Sequence, residues 1–138
     1  MNNLNARLVI VCKEKDQITK RFLKTQLEQL NIPPDQIYLS DLRPAKVELQ
    51  QILLYRELEK INPEIILSLG KEPLYTLLFP KFKKNFVLKD HVGLMYHNKW
   101  PILACYDPIY IANHTKKELE SFQNCFKTIR LFLFGEQK

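Results

Sequence analysis

Short apolar runs alternate with amphipathic stretches along most of the chain. Three of the runs are rich in β-branched or other apolar residues and nearly free of polar side chains, and they span residues 8–12, 65–69 and 101–105. This pattern is typical of strands that are buried on both faces of a sheet. Weaker strand patterns cover residues 36–39, 86–88 and 93–96.

The stretches between these runs repeat apolar residues at helical spacing. They predict helices over residues 16–32, 44–62, 71–79 and 115–133. Pro33, Pro63 and Pro80 end the first three, because proline disrupts a helix. Thr115 and Glu118 have the spacing of a capping box and predict the start of the last helix.

The resulting order of elements is β-α-β-α-β-α-(β)-β-α. Alternation of this kind predicts an α/β protein, a three-layer α/β/α sandwich with a mostly parallel central sheet. With 138 residues, the chain has room for one core of ordinary size. We therefore predict a single domain over residues 1–138, in which residues 1–6 form a short flexible N-terminus.

Charge and composition narrow the function classes. Lys and Arg number 21 against 15 Asp and Glu, so the net charge is +6. This surplus favours an anionic partner, either a nucleic acid or an acidic protein face. The N-terminus has no apolar signal segment, and no apolar run reaches the roughly 18 residues of a membrane span. We expect a soluble, cytoplasmic protein with no membrane partner.

Several classes of site lack their sequence signals. The three glycines are too few and too scattered for a phosphate-binding loop. The three cysteines have no CxxC spacing, which argues against disulfides and against a zinc or iron–sulfur site. No helical metal-ligand spacing relates the histidines, which we interpret as surface or turn residues: His91, His97 and His114. We expect no metal, no cofactor and no catalytic residue.

The predicted strand ends offer one candidate pocket. Ligands of open α/β sheets bind beyond the carboxyl ends of the strands. The residues that follow the strands there are Asp41, Gly70, Tyr106 and Asp107. Asp41 and Asp107 are the right residue types for an acid–base pair on one rim. The alternative is that each caps a turn or the start of a helix.

A basic and aromatic segment offers a second candidate site, for DNA or a protein partner. Its residues are Lys81, Phe82, Lys83, Lys84, Phe86, Lys89, Lys99 and Trp100. Lysines neutralise phosphates, and aromatic rings between them can stack on the bases of a single strand. The alternative is that the phenylalanines point inward and the lysines only solubilise a loop.

Several segments resemble the uracil-DNA glycosylase superfamily, and the resemblance covers most of residues 7–134. The segments are residues 37–41, 65–71 with the leucines that follow, and 101–108. The resemblance implies the fold of that superfamily but not its chemistry. The superfamily's water-activating motif is absent from residues 12–16, Asp41 replaces its uracil-reading Asn, and Asp107 replaces its catalytic His. The pocket is therefore interpreted as vestigial.

The opening quarter of the chain is similar to the psi subunits of bacterial DNA polymerase III, which share a related fold. The matching residues are Arg7 to Val11, Thr19, Leu27, Leu30 and Pro34 to Gln36. This resemblance implies a non-catalytic adaptor that links the clamp loader to a chi subunit, which contacts single-stranded-DNA-binding protein. In that family an N-terminal extension contacts the clamp loader, and only Met1 to Ala6 precede Arg7 here.

Two alternatives to the adaptor remain open. One is a divergent DNA repair enzyme of the glycosylase superfamily that uses the strand-end pocket. The other is a DNA-binding module that contacts single-stranded DNA through the basic segment.

Overall fold

The computed structural model describes residues 4–113 and 116–135. The strands are β1 (Leu8–Cys12), β2 (Ile37–Asp41), β3 (Ile65–Leu69), β4 (Met95–Asn98) and β5 (Trp100–Cys105). The helices are α1 (Gln17–Gln29), α2 (Val47–Ile61), α3 (Lys71–Leu78), α4 (Pro108–Ala112) and α5 (Lys116–Phe134). Short 3₁₀ turns span Pro34–Gln36 and Leu88–Asp90.

The strands form one sheet in the order β2-β1-β3-β5-β4, in which only β4 runs antiparallel to its neighbour within the described chain. The core on one face of the sheet contains side chains from α1, α4 and α5. The core on the other face contains side chains from α2 and α3. The predicted α/β class with a mostly parallel sheet between two helical layers is confirmed.

Burial explains why the strongest sequence pattern was that of β1 and β3. Every residue of these two strands is buried. Leu8, Ile10 and Cys12 enter the core on the α1 face, whereas Val9 and Val11 enter the core on the α2 face. Helices cover both sides of the sheet, so both alternating sets of side chains must be apolar.

The helix boundaries differ from the predicted ones at several points. Asp16 caps α1, since its Oδ1 accepts a hydrogen bond of 2.7 Å from the Thr19 N–H. Ile18 is one of the apolar residues at helical spacing in the first predicted helix, but its side chain is exposed. Helix α2 begins at Val47 and not at Pro44, because Lys46 is still extended. It ends where Asn62 adopts a left-handed conformation, one residue before Pro63.

Four further differences concern three strands and one short helix. Strand β2 continues to Asp41 because it stays in register with β1 up to Cys12. The strand predicted at residues 86–88 is wrong, since residues 86 and 87 have no regular secondary structure and Leu88 begins a 3₁₀ turn. The strand predicted at 93–96 begins at Met95. Helix α4 was not predicted. Thr115 of the capping box and His114 lie outside the described residues.

The strand order determines where a ligand crevice can open. After β1 the chain continues to β2, the neighbour of β1 toward one edge of the sheet. After β3 it continues toward β5, which neighbours β3 toward the opposite edge. The connections therefore diverge at the carboxyl ends of β1 and β3, and this is the position at which open α/β sheets form a crevice.

Candidate functional site

A cavity of about 350 Å³ lies at this position, and we call it the strand-end crevice. Its lining residues come from the carboxyl ends of β1, β3 and β5, from α3 and α4, and from the 3₁₀ turn Leu88–Asp90: Lys13, Leu69, Gly70, Lys71, Glu72, Pro73, Leu88, Asp107 and Tyr110. These described lining residues include no histidine, serine, threonine or cysteine. The crevice therefore presents carboxylates, lysines and a tyrosine, and its described lining lacks the residues of a Ser–His or Cys–His pair.

Gly70 and Asp107 form the floor of the strand-end crevice. The Gly70 N–H donates a 2.9 Å hydrogen bond to the Cys105 carbonyl, which holds the end of β3 against the end of β5. Gly70 has a φ of +98°, and a Cβ at this position would lie 3.2 Å from the Asp107 Cβ. Glycine is favoured here because other residues would be strained at this φ and a Cβ would crowd the Asp107 side chain.

The Asp107 carboxylate acts as a helix cap. Its Oδ1 accepts a 3.0 Å hydrogen bond from the Ile109 N–H at the start of α4, where Pro108 occupies the first turn. Burial raises the pKa of Asp107 above its ordinary value of 3.8, and the hydrogen bond from Ile109 opposes this effect. The geometry matches the capping alternative for this residue.

The lysines of the crevice already have partners. Lys13 Nζ lies 3.3 Å from a carboxylate oxygen of Glu72, and the two side chains pair across the crevice. Lys71 Nζ lies 5.0 Å from the centre of the Phe86 ring. The charges of the crevice are thus partly balanced within the chain.

Tyr106 lies next to the crevice but belongs to the core. It is buried among the residues packed on the α1 face of the sheet, and its ring stacks on Tyr110 at 5.1 Å. Burial raises the pKa of its phenol. Tyr106 therefore contributes packing behind the pocket.

The structure separates Asp41 from Asp107. Asp41 ends β2 and Asp107 follows β5, and β1 and β3 lie between those strands. Three strand spacings correspond to roughly 14 Å. Cys12 lies between the two carboxylates, and burial together with both charges raises the pKa of its thiol to about 12. The four candidate residues thus divide into Gly70, Tyr106 and Asp107 on one side and Asp41 on the other.

Asp41 instead lines a second cavity of about 700 Å³ beside α2, which we call the α2 groove. The α2 groove lies between the end of β2 and the outer side of α2, and its lining residues are Leu4, Tyr38, Asp41, Leu42, Arg43, Pro44, Gln50, Leu53, Leu54, Arg56, Glu57 and Lys60. The Glu57 carboxylate accepts a 2.8 Å hydrogen bond from the Tyr38 hydroxyl and another from the Ser40 hydroxyl. This network fixes the floor of the groove.

Sequence reasoning missed the α2 groove, although one signal for it was present. Leu54, Leu58 and Ile61 suffice for the buried stripe of α2. The same helix carries three more large apolar residues, which are exposed: Leu49, Ile52 and Leu53. A helix with more apolar residues than its buried stripe requires presents a second apolar surface.

The first half of the basic segment is exposed around an aromatic cluster. Lys81, Lys83, Lys84 and Lys89 are exposed. The Phe82 and Phe86 rings stack at 4.8 Å, and both also contact His91 and pack on the α2 face of the core. The phenylalanine faces are therefore occupied by neighbouring rings, as the alternative interpretation of this segment expected.

Lys99 and Trp100 lie elsewhere, at the end of α2. Lys99 Nζ pairs with Glu59 at 2.9 Å. Trp100 is buried, and its indole N–H donates a 3.1 Å hydrogen bond to the side-chain oxygen of Asn62. Neither side chain joins the exposed lysines, and the Trp100 ring contributes to the core.

Three further observations concern metal binding, membrane crossing and similarity to known proteins. Over residues 4–113 and 116–135, no group of three or more His, Cys, Asp or Glu side chains has an arrangement that could hold a metal ion. Among the described helices, none combines the length and apolar character needed to cross a bilayer. The chain matches no protein-family model and no curated protein.

Proposed function

We propose that this protein is a non-catalytic adaptor of the bacterial DNA replication machinery, similar to psi subunits and built on a uracil-DNA glycosylase-like fold. It would link the clamp loader to a chi-like subunit and, through that subunit, to single-stranded-DNA-binding protein. The observation that carries the proposal is a pair of exposed apolar patches on opposite faces of the sheet.

The first of these, the α2 patch, consists of Leu49, Ile52 and Leu53, all exposed. Residues three and four apart are neighbours on a helix surface, so these side chains form one continuous area. Single exposed apolar residues are ordinary, whereas contiguous ones mark interaction sites. The α2 patch therefore supports a protein partner on the α2 face of the sheet.

The second, the α5 patch, consists of three exposed residues near the end of α5: Leu131, Phe132 and Phe134. Leu131 and Phe134 are neighbours on the helix surface, whereas Phe132 lies to one side of them. Helix α5 packs on the opposite face of the sheet from α2. Arg7 and Arg130 lie over the Phe134 ring at 5.2 and 5.4 Å. Two patches separated by the sheet suit a protein that holds two partners at once.

The strand-end crevice supports a non-catalytic role. At the position where the glycosylase resemblance places a catalytic His, Asp107 caps α4. Its side chain also packs closely against Gly70, where a Cβ would lie 3.2 Å from the Asp107 Cβ. Fold resemblance alone does not supply activity, because activity depends on the residues of the site.

The residues that carry the psi resemblance are structural in this chain. Arg7 binds Glu64 and donates a hydrogen bond to the Leu133 carbonyl, so it links the start of β1 to α5. Thr19 and Leu27 are buried on α1. The resemblance thus concerns the packing of the β1-α1-β2 unit, and it supports a shared fold.

The test is complex formation with the chi-like and clamp-loader proteins of the organism that encodes this chain. Size-exclusion chromatography of each mixture at micromolar concentration should give one peak. A stable complex of this kind typically buries an interface of about 1,600 Å². Leu49→Asp/Ile52→Asp should abolish one complex and leave the other, and Leu131→Asp/Phe132→Asp should do the reverse. Separate peaks for the wild-type protein in both mixtures would overturn the proposal.

A further inference from the structure

We propose that the α2 groove and the adjoining α2 patch bind an acidic amphipathic segment of a partner protein. The apolar side of this segment would cover Leu49, Ile52 and Leu53, and its carboxylates would face Arg43, Arg56 and Lys60. The inference rests on the proposed adaptor function, because that function makes the partner a protein. It adds the chemistry of one of the two proposed contacts.

The shape of the surface favours an elongated ligand. Leu53 lines the α2 groove, whereas Leu49 and Ile52 extend the apolar area along the helix beyond it. A small molecule seated in the groove would leave these two side chains in water. A helix or extended segment laid along α2 would cover the groove and the patch together.

The charges of the groove favour an acidic ligand. Arg43, Arg56 and Lys60 line it and are exposed, and they form no ion pair with any residue of the described chain. The two lining acids, Asp41 and Glu57, are fewer than these three cations, and Glu57 is held at the floor of the groove by hydrogen bonds from two hydroxyl groups. Cations at the rim of an apolar groove select a partner with carboxylates beside its apolar residues.

The same features disfavour a nucleic acid at this surface. A phosphate backbone would place charge over Leu49, Ile52 and Leu53 and would approach the Asp41 and Glu57 carboxylates. Burial of the three apolar side chains contributes to affinity only if the partner supplies an apolar face of its own. An amphipathic protein segment meets both conditions.

The test uses a designed 20-residue peptide labelled with fluorescein. It carries Leu at helical positions i, i+3, i+4 and i+7 on one face and Glu at most other positions. Fluorescence anisotropy with the full-length protein should show saturable binding that weakens as salt is raised, because salt screens exposed charges. A peptide with Lys in place of each Glu should bind at least about tenfold more weakly.

Two sets of variants locate the contact. Arg43→Glu/Arg56→Glu/Lys60→Glu should weaken binding of the acidic peptide at least about tenfold. The matched control, Lys20→Glu/Arg21→Glu/Lys24→Glu, makes the same change of charge on exposed positions of α1 across the sheet, and it should change binding less than about twofold. Leu49→Asp/Ile52→Asp should also abolish binding, with unfolding in urea as the check that the fold is retained.

Each other outcome overturns the inference. Absence of saturable binding, equal binding of the Lys peptide, or equal weakening by the α1 control would each do so. Failure of the adaptor function is a different result, because it is measured with the partner proteins. If the peptide binds the α2 groove but the partner proteins do not bind, the adaptor function fails and the inference about the groove stands. If a partner complex survives both the charge variant and the Leu49→Asp/Ile52→Asp variant, that partner does not bind at the α2 groove.

Discussion

The strand-end crevice and the α2 groove use their polar side chains in opposite ways. In the crevice, Asp107 caps a helix and Lys13 pairs with Glu72, so the charges have partners within the chain. In the α2 groove, Arg43, Arg56 and Lys60 point from an apolar surface toward solvent without an acidic partner among the described residues. The charged groups of the crevice thus have partners within the chain, whereas the three cations of the α2 groove are the groups that the proposed acidic segment would meet.

The largest effect on stability is expected from Gly70→Ala in the crevice. The alanine would adopt a φ of +98° and place its Cβ 3.2 Å from the Asp107 Cβ. Strain and crowding together should lower the free energy of unfolding by about 2–3 kcal/mol. Urea unfolding measures this change, and peptide binding at the α2 groove should stay the same.

Gly93→Ala is the matched control for this substitution. Gly93 has a φ of +86°, but a Cβ there would meet no atom within 4 Å. It should therefore cost about 1 kcal/mol, for backbone strain alone. Equal losses in the two variants would mean that the contact between Gly70 and Asp107 contributes nothing.

A smaller effect is expected from Glu57→Ala in the α2 groove. The substitution removes the acceptor of the Tyr38 hydroxyl and of the buried Ser40 hydroxyl, which should cost about 2 kcal/mol. It also removes a negative charge from the groove, so the acidic peptide should bind more tightly although the protein is less stable.

Glu48→Ala serves as its control, since Glu48 is exposed on the same helix and does not line the groove. Its effect on the free energy of unfolding should stay within about 0.5 kcal/mol. Weaker peptide binding by Glu57→Ala, at an unchanged fold, would contradict the assignment of an acidic ligand.

The sequence predicted the layers of the fold better than it predicted the two cavities. Strands β1 and β3 were recognisable because burial on both faces leaves a continuous apolar run. The end of β2 was missed because Ser40 and Asp41 look like a turn, although they stay in register with β1. The short helix α4 has too few residues to show a periodic pattern.

The candidate sites depended on information that local patterns do not contain. Asp41 and Asp107 both follow strands, but the strand order that separates them is a property of the tertiary fold. Trp100 was assigned to a basic surface because its neighbours are charged, whereas its indole fills the core beside Asn62. By contrast, the surplus of apolar residues on α2 was visible in the sequence and would have indicated the α2 patch.

The smallest effect expected is a change in the pH dependence of stability, and it concerns Asp107 in the crevice. Burial raises the pKa of Asp107 in the folded protein above its ordinary value of 3.8. The folded state therefore holds this proton more tightly than the unfolded state, and the resulting stability is lost as the pH rises through the folded pKa. Asp107→Asn removes this loss while it keeps an oxygen that can cap α4.

The free energy of unfolding of Asp107→Asn, relative to that of the wild type, should thus increase from pH 3 to pH 7. Glu64→Gln is the control of opposite sign, because the hydrogen bond from Arg7 lowers the pKa of Glu64 below its ordinary value of 4.5. That contribution is present above the unfolded pKa and lost as the pH falls. Urea unfolding at both pH values checks the pair. Slopes of the same sign would mean that the capping hydrogen bond from Ile109, which lowers the pKa of Asp107, outweighs the effect of burial in the strand-end crevice.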